Sequence, residues 1–160
     1  MERKTKIQAE PGKQDLLITR EFNLPVRLLF KAHTDREIFE EWMSHEYGTT
    51  KTLQFDIRKF GAWQFQTTDK SGNVVLIAGG TIHDVIPDKR IIRTFEMSNS
   101  PFEVTLEYLD FEALTEDTSK LTMQFIYRSA HQRDEMLKLP FEFGLNMAHN
   151  RLQELLQKPK

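Results

Sequence analysis

The chain has no cysteine, which removes disulfides, thiolate nucleophiles and sulfur metal ligands together. Neither sign of charge dominates: 22 basic residues face 24 acidic ones, a formal net charge of −2. Without a basic excess to condense onto phosphate, nucleic acid is not an expected partner. No stretch approaches the roughly 20 apolar residues that cross a bilayer, and the amino terminus MERKTKIQAEPGKQ lacks the apolar core of a secretory signal. A cytoplasmic protein with no membrane span is therefore expected. Glycines number only 7, and none falls in a phosphate loop, a dinucleotide fingerprint or a G-x-S-x-G elbow. The five histidines, His33, His45, His83, His131 and His149, lie in separate segments with no H-E-x-x-H and no pair at i and i+4, so neither a metal nor a cofactor is expected. Carboxylates such as Asp56 and Asp84 read as solvated, on outer strand positions or strand ends.

What the chain does have is large apolar side chains: 12 phenylalanines, 6 methionines, 3 tyrosines and 2 tryptophans. At 160 residues it can bury one good core and is too short for two ordinary domains. The expectation is a single domain spanning 1–160, with a core of about 14–157. The run LQFDIRKFGAWQFQTTDKSGNVVLIAGGTIHDVIPDKRIIRTFEM, from Leu53 to Met97, reads as four strands joined by short turns. Alternation puts Leu53, Phe55 and Ile57 on one face of the first, and Trp63 and Phe65 on one face of the second.

Around that run the periods change. Extended segments at Lys4–Ala9 and Asp15–Phe22 are separated by Pro11 and Gly12. Pro25 suits a first helical turn, followed by Val26, Leu29, Phe30 and His33 at helical spacing. Thr34 or Asp35 can cap a second short helix carrying Ile38, Phe39 and Trp42. Strands are expected near 51–58, 60–68, 74–85, 90–97, 102–112 and 119–129, with polar connectors that imply antiparallel neighbours. Gly79-Gly80 suits a bulge or bend that lets the sheet curl. Phe141, Leu145, Ala148, Leu152 and Leu155 form the stripe of a long terminal helix, and Pro140 either kinks it or starts it afresh.

The order of strand, two short helices, six antiparallel strands and long terminal helix resembles the α+β helix-grip fold of the START and SRPBCC superfamily. Within it, several segments resemble the bacterial homologues of the heat-shock-protein-90 ATPase activator. They are Ile18-Thr19-Arg20-Glu21-Phe22-Asn23-Leu24-Pro25, Leu29 to Asp35 with Trp42, and Phe55-Asp56-Ile57-Arg58 with Phe60-Gly61-Ala62-Trp63. Further along come Gly80 to Pro87 with Arg90-Ile91-Ile92, and Asn150 to Leu156. Two positions depart from that family's pattern: Phe60-Gly61 stands where a Gly-Gly pair is common, and Asp35-Arg36 where Asp-Pro is. The resemblance implies a curved antiparallel sheet gripping the terminal helix, with a cavity between them for a small hydrophobic or amphipathic molecule.

The residues expected to line that cavity are Trp63, Phe65, His83, Arg93, Phe95, Tyr108, Phe125, Tyr127, Phe141 and Leu145. His83 shares parity with Val75, Ile77 and Val85, and as a neutral imidazole would orient a ligand or move a proton. The competing account is a histidine satisfied by a neighbouring backbone group. Arg93, in phase with Phe95 and Met97, either projects inward to a carboxylate or carbonyl, or ends at the sheet edge with its stem on the aromatics, the favoured reading. Tyr108, in phase with Val104 and Leu106, and Tyr127, in phase with Met123 and Phe125, add hydroxyls to apolar walls. Two alternatives use the same fold: a cyclase- or hydratase-type enzyme acting through His83, Arg93 or Tyr127, and a co-chaperone that stimulates the chaperone's ATPase. Monomer and homodimer are both compatible with the sequence.

Overall fold

Alternation in DLLITREF sends Leu16, Ile18 and Phe22 to one face of an extended segment, and all three are fully buried. Repeated along the chain, that pattern builds the sheet. A computed structural model describes residues 3–98 and 100–157. Its elements run β1 (Lys6–Gln8), β2 (Asp15–Phe22), α1 (Val26–Thr34), α2 (Arg36–Met43), β3 (Thr49–Phe55), β4 (Ala62–Thr68), β5 (Val74–Ile86) and β6 (Arg90–Met97). There follow β7 (Thr105–Ala113), β8 (Ser119–Ile126), α3 (Ala130–Leu137) and α4 (Phe141–Gln157). The eight strands form one curved antiparallel sheet in the order β1-β2-β8-β7-β6-β5-β4-β3. This is the helix-grip architecture.

Local chemistry sets the helix ends. Asp35 caps α2 by accepting the Ile38 N–H at 3.0 Å, and Ser129 caps α3 by accepting that of Gln132 at 3.1 Å. Pro140 separates α3 from α4 and its carbonyl accepts the Gly144 N–H at 3.0 Å, so the terminal helix starts afresh there and is not kinked. Along α4, Ala148 and Leu152 are buried, and Phe141, Leu145 and Leu155 pack against the core. Asn146 and Asn150, on a neighbouring face, accept hydrogen bonds from the buried Arg20 at 3.1 and 2.9 Å, which ties α4 to β2. Arg151 donates to the Trp42 carbonyl at 3.0 Å and ties it to α2.

The sheet bends where side chains are missing. A Cβ on Gly79 would lie 2.1 Å from the Trp63 carbonyl oxygen, and one on Gly80 2.1 Å from that of Thr94, so neighbouring backbones approach closer than alanine allows. Thr94 Oγ1 takes the Thr81 N–H at 2.9 Å. The register then shifts between Ile82 and Asp84, and that of β3 between Thr52 and Gln54.

These bulges and a phase reversal overturn three expectations. Leu53 falls at the β3 irregularity and is exposed, leaving Phe55 to pack against Phe39. In β5 the inward residues are Ala78 and Ile82, both buried, while Val75 and His83 face solvent. In β7 the inward residues are Thr105, Glu107, Leu109 and Phe111, so Tyr108 lies on the outer face, opposite Ile92 and Gln124. Both strands carry apolar residues in each phase, and a shift of one residue exchanges the faces.

Candidate functional site

Among the described residues, a buried ion pair, two buried histidines and an apolar cavity are the features between sheet and helices that bear on function. Arg93, on β6, points inward. Its Nε donates to Glu107 Oε1 at 2.8 Å, and its guanidinium lies 3.9 Å from the centre of the Trp63 ring. The side chains of Arg93 and Glu107 are only 10% and 5% exposed. Arg93 therefore meets a carboxylate, and the carboxylate is the chain's own; it does not end at a sheet edge, because β6 pairs on both sides. Burial raises the Glu107 carboxyl above its ordinary range, and the neighbouring guanidinium offsets part of that rise.

Two histidines form the second system. His33 on α1 packs its ring against Trp42 and Phe111, and Nδ1 donates to the Leu29 carbonyl at 2.9 Å, which fixes its proton on that nitrogen. His149 on α4 places Nδ1 2.7 Å from Thr5 Oγ1 and its ring against the edge of Phe22. Burial is the main reason both titrate low: His33 is lowered to about 4, with Arg93 contributing, and His149 falls well below the usual imidazole value. Both are neutral rings built into the core.

The cavity, of about 150 Å³, opens among β6, β7, β8, α3 and the first turn of α4. Phe95, Phe102, Phe125 and Phe141 give it flat apolar walls, and Met97 and Met136 give it adaptable ones. Thr105, Glu107 and Tyr127 bring polar atoms to it. All three are buried, at 7%, 4% and 5% exposure. Thr105 Oγ1, Tyr127 Oη and Glu107 Oε2 make no hydrogen bond to another described residue and stay in contact with open space, although their residues are buried overall. Burial chiefly, and the charge of Glu107 in addition, push the Tyr127 phenol upward, so it stays protonated and able to donate. A larger depression of about 400 Å³ lies elsewhere and is walled mainly by Arg3, Lys4, Lys6, Arg20, Glu21 and Lys120.

Of the residues singled out from the sequence, Phe95, Phe125, Tyr127 and Phe141 line this cavity. Trp63 and Phe65 lie in a packed aromatic cluster with Phe39, and Trp63 Nε1 donates to the Thr94 carbonyl at 3.1 Å. Arg93 stands behind Glu107 without lining the cavity, and Leu145 is half-buried against the core a turn beyond Phe141. His83 and Tyr108 are on the outer face, so His83 has no access to the cavity as acid or ligand contact. Glu107 went unrecognised because a charged residue in a strand is normally solvated; its one sequence signal is its phase with Leu109 and Phe111. Phe102 and Met136 lie in a connector and on the weakly patterned α3, where periodicity carries no signal.

Among the described residues no group of three or more histidine, aspartate or glutamate side chains could hold a metal ion, and no helix is long and apolar enough to cross a membrane. A sheet gripping a terminal helix over an apolar cavity defines the helix-grip class of fold, which is consistent with a ligand-binding domain. Comparison with known families narrows the class: residues 23–157 match the model of the activator of Hsp90 ATPase homolog 1-like proteins, and the chain belongs to that family. Solved structures agree on the fold. Protein Ms6760 from Mycobacterium smegmatis is similar at TM-score 0.85 and 18% identity, over 98% of this chain and 99% of that one. A protein from Rhodobacter sphaeroides is similar at TM-score 0.87 and 19% identity, over 96% and 98%. CalU16 from Micromonospora echinospora is similar at TM-score 0.61 and 18% identity, over 98% and 88%. No curated protein matches the chain. At these identities the likeness extends to the fold alone.

Proposed function

We propose that the protein binds a small hydrophobic or amphipathic molecule in the cavity between its sheet and the start of α4. One observation supports the reading: an apolar cavity keeps three polar atoms, on residues buried overall, that make no hydrogen bond within the described chain and stay in contact with open space. A core that served stability alone would have filled that space, since side chains facing a void forfeit packing contacts. Its volume of about 150 Å³ is comparable to cavities that take up a single benzene ring, so a ring-sized group fits and a sterol does not.

The reading is tested by native mass spectrometry of the protein isolated from its own cells, beside Met136→Trp, which fills the cavity from α3. A stoichiometric low-mass adduct on the parent, lost from the variant, is expected. An adduct that survives Met136→Trp unchanged places the ligand elsewhere and overturns the reading.

A further inference from the structure

The cavity wall is lopsided in charge. The charged residues that line it are Glu96, Glu103 and Glu107, of which Glu96 is exposed and in the opposite phase of β6 to Arg93, and no lysine, arginine or histidine lines it. Arg93 and Arg128 pair with two of these carboxylates. Arg128 and Gln132 both donate to Glu103, and Arg93 commits its Nε to Glu107 Oε1 while its plane stacks on Trp63. A molecule in the cavity therefore meets carboxylate oxygen and hydroxyl groups, not guanidinium nitrogen. An ionised carboxylate only accepts hydrogen bonds, whereas Thr105 and Tyr127 each donate or accept. A ligand carboxylate placed here would set two like charges together in a site of low dielectric. A hydroxyl or ammonium group would instead donate to Glu107 Oε2, and a hydroxyl would also accept from Tyr127.

Resting on the binding reading above, we propose that the cavity selects a compact ring-bearing molecule whose polar end donates hydrogen bonds and carries no negative charge. An arylalkyl alcohol or amine fits; an aryl carboxylate or a fatty acid does not. The discriminating group is Glu107, held in place by Arg93, and the hydroxyls of Thr105 and Tyr127 orient the head.

Four probes sharing one ring test this: toluene, benzyl alcohol, benzylamine and benzoate, titrated while the methyl signals of Met97 and Met136 are followed by NMR. Benzyl alcohol and benzylamine are expected to bind at least about tenfold more tightly than benzoate, which corresponds to about 1.4 kcal/mol. Glu107→Gln is expected to shrink that margin. Because that variant removes the charge partner of a buried arginine, Tyr127→Phe is measured beside it; it is expected to narrow the preference for benzyl alcohol over toluene. Benzoate binding as tightly as benzyl alcohol, or toluene binding alone, overturns the selectivity and leaves the binding reading standing. Failure of all four, toluene included, overturns both.

Discussion

Beneath the α1–α2 end of the sheet, Phe39 is surrounded by Trp42, Phe55, Trp63 and Phe65, with ring centres 5.5, 5.2, 6.3 and 5.6 Å away. Beneath the α3–α4 end, Phe125 and Phe141 stand 6.3 Å apart and, with Phe95, wall a cavity. The two ends differ as much in polar pairing as in packing. At the filled end, Trp42 Nε1 donates to the Ala32 carbonyl at 2.8 Å and His33 Nδ1 to that of Leu29 at 2.9 Å. At the open end, Thr105, Tyr127 and one oxygen of Glu107 reach the cavity unpaired. One end of the same cleft has its interactions completed within the chain, and the other keeps hydrogen-bonding capacity unused. Stability is concentrated in the first, and the second is where an external molecule gains most.

Truncation should separate the two ends most strongly. Phe39→Ala removes the hub of the filled end and is expected to cost about 3–5 kcal/mol, whereas Phe141→Ala, half-buried beside an existing cavity, should cost about 1–2 kcal/mol. Urea denaturation measures both, and equal losses would erase the contrast. Arg93→Ala strands the buried Glu107 charge at the boundary between the ends and is expected to cost about 3–5 kcal/mol.

The filled end also carries a pH signature. His33 titrates at about 4 in the folded protein against about 6.5 unfolded. Between those values the unfolded chain holds a proton that the folded one lacks, so stability falls as pH drops through this window, by up to about 3 kcal/mol, and is unaffected by this group at higher pH. His149 acts in the same direction. Denaturation midpoints at pH 7 and 4.5 should show the loss, and His33→Phe, which keeps the ring contacts, should flatten it. If the slope is unchanged in that variant, the buried imidazole is not its source.

A smaller effect lies outside the cleft. Phe60 is 74% exposed with φ of 64°, a left-handed conformation that disfavours a side chain. Phe60→Gly is expected to stabilise by about 0.5–1 kcal/mol in the same assay, offset in part by its Lys59 contact. The smallest change belongs to the open end: Tyr127→Phe removes a hydroxyl with no partner in the chain and should move ligand-free stability by less than about 0.5 kcal/mol. A loss above 1 kcal/mol would mean that this end is completed internally after all.

Much of this fold was legible because its signals are local. The cap at Asp35, the proline breaks at 25 and 140, and the stripe through Ala148 and Leu152 each depend on neighbours within a turn or two of helix. Strand positions were legible for the same reason, and four cavity residues, Phe95, Phe125, Tyr127 and Phe141, followed from reading large side chains on β6, on β8 and the residue after it, and on α4. The facing of β5 and β7 was not legible. VVLIAGGTIHDV and TLEYLDF are apolar in both phases, so the choice between Tyr108 and Glu107 as the inward residue is made by pairing with β6 and β8.

The amino-acid sequence by itself determined the class of structure: eight strands with turn-length connectors, two short helices of which the second is capped, a proline-started amphipathic helix, and no group suited to thiol or phosphate-loop chemistry. Those features are set by backbone preference and by periodicity, which act over a few residues. Tertiary structure alone decided the chemistry of the cleft. It turned Glu107 inward to meet Arg93 fourteen residues away, buried His33 and His149 as neutral rings, put His83 in solvent, and left one end of the cleft unfilled. Each of those outcomes depends on which face of a strand or helix meets which neighbour, a choice made by packing the whole sheet at once and written in no single segment.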